Sequence, residues 1–395
     1  MTYTATRRGT YSSLVVMAAL GNLSPLLFII FMEDFGLSYE RLAVLVVIYF
    51  AVQTVTLGLG INVVEKLGYK IPIIFSQAFA ALGLVLLGVL PSVMNNAYMG
   101  LVIATVLNAI GCGLIELISS PVTDALPTPP NQKASAMSFL HSFYCWGVAC
   151  TIIISTLFLH FAGGGVWWLL PVIWALLPIF NMFLFIRAPF PEQIELKKRT
   201  PIKELFSAPL FFLLIIMMIC GAASEVIVGQ WASLFMEQGV GLSKVIGDIA
   251  GPCMFAILMG IGRVLYSVLS EKIEYKTYMA SSALLCIICY LMMSLSPYPV
   301  ISLIGCALCG LSVSMMWPGT LSYAVSRFPS GGTLLFGLLA VFGLLGCAIG
   351  PWFTGFIADN SDGGLRTGIL ASVIFPAIAL ILVLAIRKNR SSIGS

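Results

Sequence analysis

GCGLIELISSPVTDALP, residues 111–127, sets a carboxylate, Glu116, inside an apolar run that begins near Tyr98. Glu116 stands eight residues before Asp124, where the run turns polar. At the rise of an α-helix it therefore lies about 12 Å into its helix. In a water-soluble protein such a helix would need a charged face. Here charged residues make up 9% of the chain and hydrophobic ones 59%, against roughly 25% charged in soluble domains. The chain is therefore an integral membrane protein, and Glu116 is a carboxylate at membrane depth. A charge there is costly and by default faces a bundle interior or a water-filled path. The alternative is a protonated, hydrogen-bonded structural Glu. Pro121 follows five residues later and weakens the helix end.

Working outward, twelve apolar segments fall near 11–32, 42–64, 71–91, 98–123, 134–160, 166–187, 208–236, 246–270, 277–296, 298–325, 332–357 and 366–387. Their length excludes a porin-type barrel, whose strands alternate over about 10 residues. The first run has no small-residue cleavage site after it and reads as an uncleaved helix rather than a signal peptide. The longest loop, residues 187–209, splits the chain six and six. With both termini in the cytoplasm, sixteen Lys and Arg fall inside, three (Arg41, Lys244, Arg366) fall outside, and Arg263 is left within a span. That asymmetry fixes the orientation. The net charge of +4 resides in short loops and points to no nucleic-acid partner.

The halves repeat. FMEDFGLS at 31–38 matches FMEQGVGLS at 235–243, and EKLGYK at 65–70 matches EKIEYK at 271–276. Gly113 and Pro121 match Gly310 and Pro318 with equal spacing. Three matches in order indicate two parallel six-helix repeats. The fold expected is all-α, with twelve membrane helices in two pseudo-symmetric bundles: residues 1–188, a cytoplasmic linker at 189–206, and residues 207–395.

This architecture, together with GINVVEKLGYK at 60–70, resembles the major facilitator superfamily over the whole chain. The loop departs by carrying Glu65 for Asp and Lys66 for Arg. Within the superfamily, the fourth span is similar to that of the fucose–proton symporter family. Gly111, Gly113, Glu116, Ser120 and Pro121 stand at the positions of its G-x-G-x-x-E-x-x-x-N/S-P pattern, and GCAIGPWFTGFIAD at 346–359 is similar to its eleventh span. The first span departs, with Asn22-Leu23-Ser24-Pro25 where the family has N-L-N-D. The resemblance implies a proton-linked role for Glu116.

Beside that resemblance the residues allow their own reading. His141 stands eight residues after Lys133, so it too lies about 12 Å deep. That is a depth similar to Glu116, on the next span. A carboxylate beside an imidazole could share a proton; capping of a neighbouring carbonyl is the other option. Glu225 lies near the midplane of the seventh span. Arg263 is about 12 Å deep in the eighth. They form either a structural pair or the second half of a substrate site. Asn22, Gln53, Tyr144, Gln230, Trp231 and Trp317 are candidate cavity lining, and Glu65, Lys66, Lys70, Glu271, Lys272 and Lys276 candidate gating-loop residues. His160 lies near the outer surface. Cys286/Cys289 and Cys306/Cys309 have CxxC spacing, but within membrane spans they read as inert buried thiols rather than a metal site. Gly346, Gly350 and Pro351 read as close helix packing.

No P-loop, zinc motif or nucleophile elbow occurs, so neither an enzyme nor a cofactor is expected. The expectation is a monomeric secondary transporter of the cell (inner) membrane, surrounded by the lipid bilayer and working by alternating access. It would carry a small polar solute such as a sugar or polyol with a proton, sodium being the alternative ion. A drug or metabolite exporter is the second reading, and a non-transporting sensor the third.

Overall fold

The computed structural model describes residues 3–37, 39–192, 200–236, 240–242, 249–269 and 272–386. Among these there is no strand. The helices are α1 Thr4–Leu26, α2 Phe28–Phe35, α3 Tyr39–Leu67, α4 Lys70–Val93, α5 Ala97–Ala125, α6 Lys133–Ala162, α7 Leu169–Trp174, α8 Leu176–Arg187, α9 Ile202–Ser207, α10 Pro209–Leu234, α11 Met254–Leu269, α12 Tyr275–Leu295, α13 Pro299–Val313, α14 Met316–Arg327, α15 Gly332–Asp359, α16 Gly364–Ala371 and α17 Ile374–Ala385. Among the described residues, eleven segments are long and apolar enough to cross a membrane. A crossing needs about 20 residues at about 1.5 Å each, and these eleven match the second to twelfth predicted spans. The first predicted span is α1 with α2, whose hydroxyls and Asn22 make it more polar than the rest.

Prolines break three spans into two helices each. A proline has no N–H for the carbonyl four residues back. Pro178 leaves that of Trp174, where α7 gives way to α8; Pro318 leaves that of Ser314, between α13 and α14; Pro376 leaves that of Ser372, between α16 and α17. Sequence patterning shows each of these as a single span. Other ends are ordinary. Asn96 caps α5, its side chain accepting from the Met99 amide at 3.2 Å, the usual service of an N-cap. Gly68, at φ 78°, makes the left-handed turn between α3 and α4, a conformation that suits glycine.

By contacts the chain forms two compact units, residues 1–202 with 325–341, and residues 203–324 with 342–395. The first part of α15 thus counts with the first unit and the remainder with the second.

In the first unit, α5 rests on α3. A Cβ on Gly113 would come 2.9 Å from the Gln53 carbonyl oxygen, and one on Gly60 would come 2.8 Å from the Leu117 side chain. In the second unit α13 rests on α11 in the same way. Gly310 faces the Phe255 carbonyl, and Gly262 faces Ser314 and Leu311. The internal repeat is therefore a repeat of backbone contacts, made where the missing side chain lets two helices touch. Gly346 and Gly350 of α15 do the same against Ile219 and Ala223 of α10, as their spacing suggests.

The first unit also holds a buried amide network that the sequence does not reveal. Ser12 Oγ donates to Asn181 Oδ1 at 2.5 Å, Asn181 Nδ2 to Gln77 Oε1 at 3.4 Å, and Gln77 Nε2 to Ser13 Oγ at 3.2 Å. These residues join α1, α4 and α8, and each polar group finds a partner, which buried amides require.

The two CxxC pairs face each other across α12 and α13. Cys286 Sγ and Cys309 Sγ are 4.0 Å apart, all four cysteines are buried, and all are free thiols. Among the described residues no group of three or more His, Cys, Asp or Glu is placed to hold a metal ion.

Candidate functional site

In the first unit the polar centre is built on α5 and α3. Glu116 projects from α5 and is 9% exposed. One turn earlier on the same helix is Cys112, and α3 carries Tyr49 and Gln53. These two are four residues apart, so both face one side of α3. Tyr49 lies within electrostatic reach of Cys112, Glu116 and Tyr144 of α6. Its buried hydroxyl has the Cys112 thiol beside it and no hydrogen bond of ordinary geometry. Gln53 is 5% exposed, and its side-chain oxygen is buried without a protein partner. An unpaired buried amide oxygen costs about 1–3 kcal/mol, so its retention here calls for a ligand or water to satisfy it. Asn22 spends its amide on its own helix, donating to the Ala18 carbonyl at 2.8 Å. Tyr49 was not among the residues singled out from the sequence, although its spacing from Gln53 carried the signal.

His141 enters the same region from α6. Its Nε2 lies 3.1 Å from Ser120 Oγ, and both residues are buried. Ser120 follows Glu116 by one turn. Side chains tilt toward the N-terminus of their helix. On α6 that tilt lowers the imidazole toward Lys133, and on α5 it raises the Glu116 carboxyl away from Asp124.

In the second unit the centre is an ion pair. Arg263 Nη2 of α11 lies 3.2 Å from Glu225 Oε2 of α10, with the two side chains 3% and 15% exposed. Arg263 Nε also donates to the Ser314 carbonyl at 2.9 Å. That is the carbonyl left open by Pro318, so the guanidinium supplies the bond that proline cannot. Ser224, beside Glu225, accepts from the Tyr290 hydroxyl at 2.9 Å through its carbonyl. Trp231 Nε1 donates to the Pro351 carbonyl at 3.1 Å, and the Trp317 ring packs over Gly343. Gln230 is exposed.

The loop residues divide. Lys66 and Lys272 are exposed, while Glu65 and Lys70 are half-buried. Glu271 lies outside the described residues. Lys276 Nζ donates to the carbonyls of Leu384 and Ile386, both at 2.7 Å, and so caps the last helix. The matched loops also differ in backbone: Glu274 is extended at the place of left-handed Gly68. His160 is exposed, as expected from its position.

The chain matches the profile of the Major Facilitator Superfamily over residues 10–333 and 253–393. Among solved structures it is similar to the fucose:proton symporter of E. coli in an alanine variant, with TM-score 0.81 and 16% identity, covering 98% of this chain and 100% of that one. A fucose transporter structure in the outward conformation gives 0.82 and 17%, covering 98% and 100%. The proton:xylose symporter bound to 6-bromo-6-deoxy-D-glucose gives 0.79 and 12%, covering 95% and 94%. Among curated proteins no sequence match is found. The profile spans both halves and the structural matches run nearly end to end, so the chain belongs to the Major Facilitator Superfamily and is a transporter rather than an enzyme.

Proposed function

We propose that this transporter carries a small polar solute, a sugar or polyol, together with a proton, by alternating access to the two sides of the cell membrane, with both termini in the cytoplasm. The observation that carries the reading is a buried carboxylate, Glu116 on α5, together with an unsatisfied amide oxygen, that of Gln53, on the adjoining α3. A hydroxylated solute donates to such an oxygen and offers acceptors to a protonated carboxyl. Glu116 is the proton carrier in this reading. Tyr49, Gln53 and Tyr144 are the solute-binding candidates of the first unit, and Glu225, Arg263, Trp231 and Trp317 those of the second. The solved relatives named for fucose and xylose transport with protons give the same direction to the proposal.

The test is a thermal-unfolding screen of purified protein against fucose, xylose, mannitol and a panel of amino acids, at a mildly acidic and a mildly alkaline pH. A true ligand at about 100 times its Kd adds ~2.7 kcal/mol. At least one sugar or polyol is expected to raise the unfolding temperature, and more so at acidic pH, where the carboxyl is loaded. Stabilisation by amino acids alone, or by a sugar equally at both pH values, would count against the proposal.

A further inference from the structure

We propose that the seam between α5 and α6 is a proton track, running from Glu116 through Ser120 and His141 to the Asp124–Lys133 pair at the face that carries Lys66, Lys70 and Lys133. The inference rests on the reading of Glu116 as the proton carrier and adds a route to it.

Glu116, Ser120 and Asp124 follow one another at four-residue intervals along α5. They therefore share one face of the helix, with about 6 Å of rise between successive residues. Ser120 and Asp124 both meet α6. Ser120 Oγ meets His141 Nε2 at 3.1 Å, and Asp124 Oδ1 meets Lys133 Nζ at 3.1 Å. Burial grades along the seam. Ser120 and His141 are 2% and 4% exposed, whereas the side chains of Asp124 and Lys133 are 19% and 41% exposed. The neighbouring hydroxyls are committed to their own helix: Ser119 donates to the Ile115 carbonyl at 2.7 Å and Thr123 to the Ser119 carbonyl at 2.9 Å. Ser120 instead turns its hydroxyl across the seam.

The transfer balances without any other reactant. Glu116 gives its carboxyl proton to Ser120 Oγ as the Ser120 hydroxyl proton passes to His141 Nε2. The products are a carboxylate at 116, an intact hydroxyl at 120 and an imidazolium at 141. The imidazolium then gives its proton to water beside Asp124 and Lys133 and returns to neutral. Lys133, a fixed positive charge at that end, shortens the life of the imidazolium. The other titratable groups along the route are Tyr49 on α3, Cys112 on α5, Tyr144 and Cys145 on α6, and Tyr11 of α1, which stacks on Phe143 of α6.

The experiment needs no substrate. The full-length purified protein is jumped from acidic to alkaline pH, and the infrared stretch of the protonated carboxyl that is missing from Glu116→Gln is followed in time. Ser120→Ala and His141→Gln are each expected to slow the loss of that band about tenfold or more. Ser120→Thr, which keeps the hydroxyl, should restore the rate. A merely structural role for Ser120 would shift thermal unfolding without slowing the band. Wild-type kinetics in correctly folded Ser120→Ala overturns the track. If His141→Gln does not fold, the Ala and Thr variants at 120 decide alone. If wild type shows no carboxyl band that Glu116→Gln removes, Glu116 does not titrate, and the proposed function falls rather than the route alone.

Discussion

Glu225→Gln lowers the stability of the protein by about 3–5 kcal/mol, the usual cost of removing one partner of a buried ion pair, and lowers it more than Arg263→Met does. The asymmetry follows from the chemistry of what is left behind. Without Glu225, Arg263 remains charged and 3% exposed, and the Ser314 carbonyl it binds carries no charge to replace the carboxylate. A guanidinium cannot shed its proton in a protein. Without Arg263, Glu225 can take up a proton and become a neutral hydrogen-bonding group. The double variant Glu225→Gln with Arg263→Met should recover part of the loss, because no unpaired charge survives. Thermal or denaturant unfolding of the four proteins gives the coupling directly. A Glu225→Gln protein as stable as wild type would show that the pair is not structural, and transport by that variant would then tell whether the carboxylate serves the solute.

Glu116→Gln abolishes accumulation of the solute against a gradient while leaving exchange of labelled for unlabelled solute measurable. Glutamine has the size and hydrogen-bonding capacity of a protonated carboxyl but cannot release a proton. A carrier locked in the loaded form can still shuttle between its states with solute bound, and both directions then run without net proton movement. Coupling requires a difference in solute affinity between two protonation states, and this variant has only one. The two fluxes are measured side by side in reconstituted vesicles, with the sugar that stabilises the purified protein, under an imposed pH step. Retained pH-driven accumulation removes Glu116 from the mechanism. Loss of both fluxes with normal unfolding places it in solute binding instead.

Both residues were legible in the sequence because membrane depth can be counted. Eight residues from a polar end put Glu116 and Arg263 well inside the apolar zone, and a charge there needs a reason. A pair between Glu225 and Arg263 was one of two options that the sequence left open, and the structure joins them. For His141 the structure adds a partner that the count does not show, the Ser120 hydroxyl at 3.1 Å. Lys276 looked like part of a repeated loop, yet it serves the end of a helix more than a hundred residues away, a partner no local pattern can show. The Ser12, Gln77 and Asn181 network was invisible for the same reason: its members come from three helices and have no common spacing. The repeat itself was read from three short matches. Its physical basis, glycine against backbone carbonyl in both halves, needed the structure.

The bond from Arg263 to the Ser314 carbonyl has a consequence for how the chain is made. An arginine entering the bilayer on a lone helix carries a penalty of about 2.5–3.5 kcal/mol on insertion scales. The seventh span, with Glu225, is synthesised before the eighth, and so a counter-charge is already in place when Arg263 arrives. The tenth span comes later, with an open carbonyl at Ser314 that Arg263 of the earlier eighth span fills. The order of synthesis thus matches the order in which each defect finds its remedy. Glycosylation-site mapping of truncated nascent chains should find the eighth span inserted efficiently behind the native seventh and poorly behind one carrying Glu225→Leu; equal insertion in both would mean that the bilayer tolerates Arg263 without its partner.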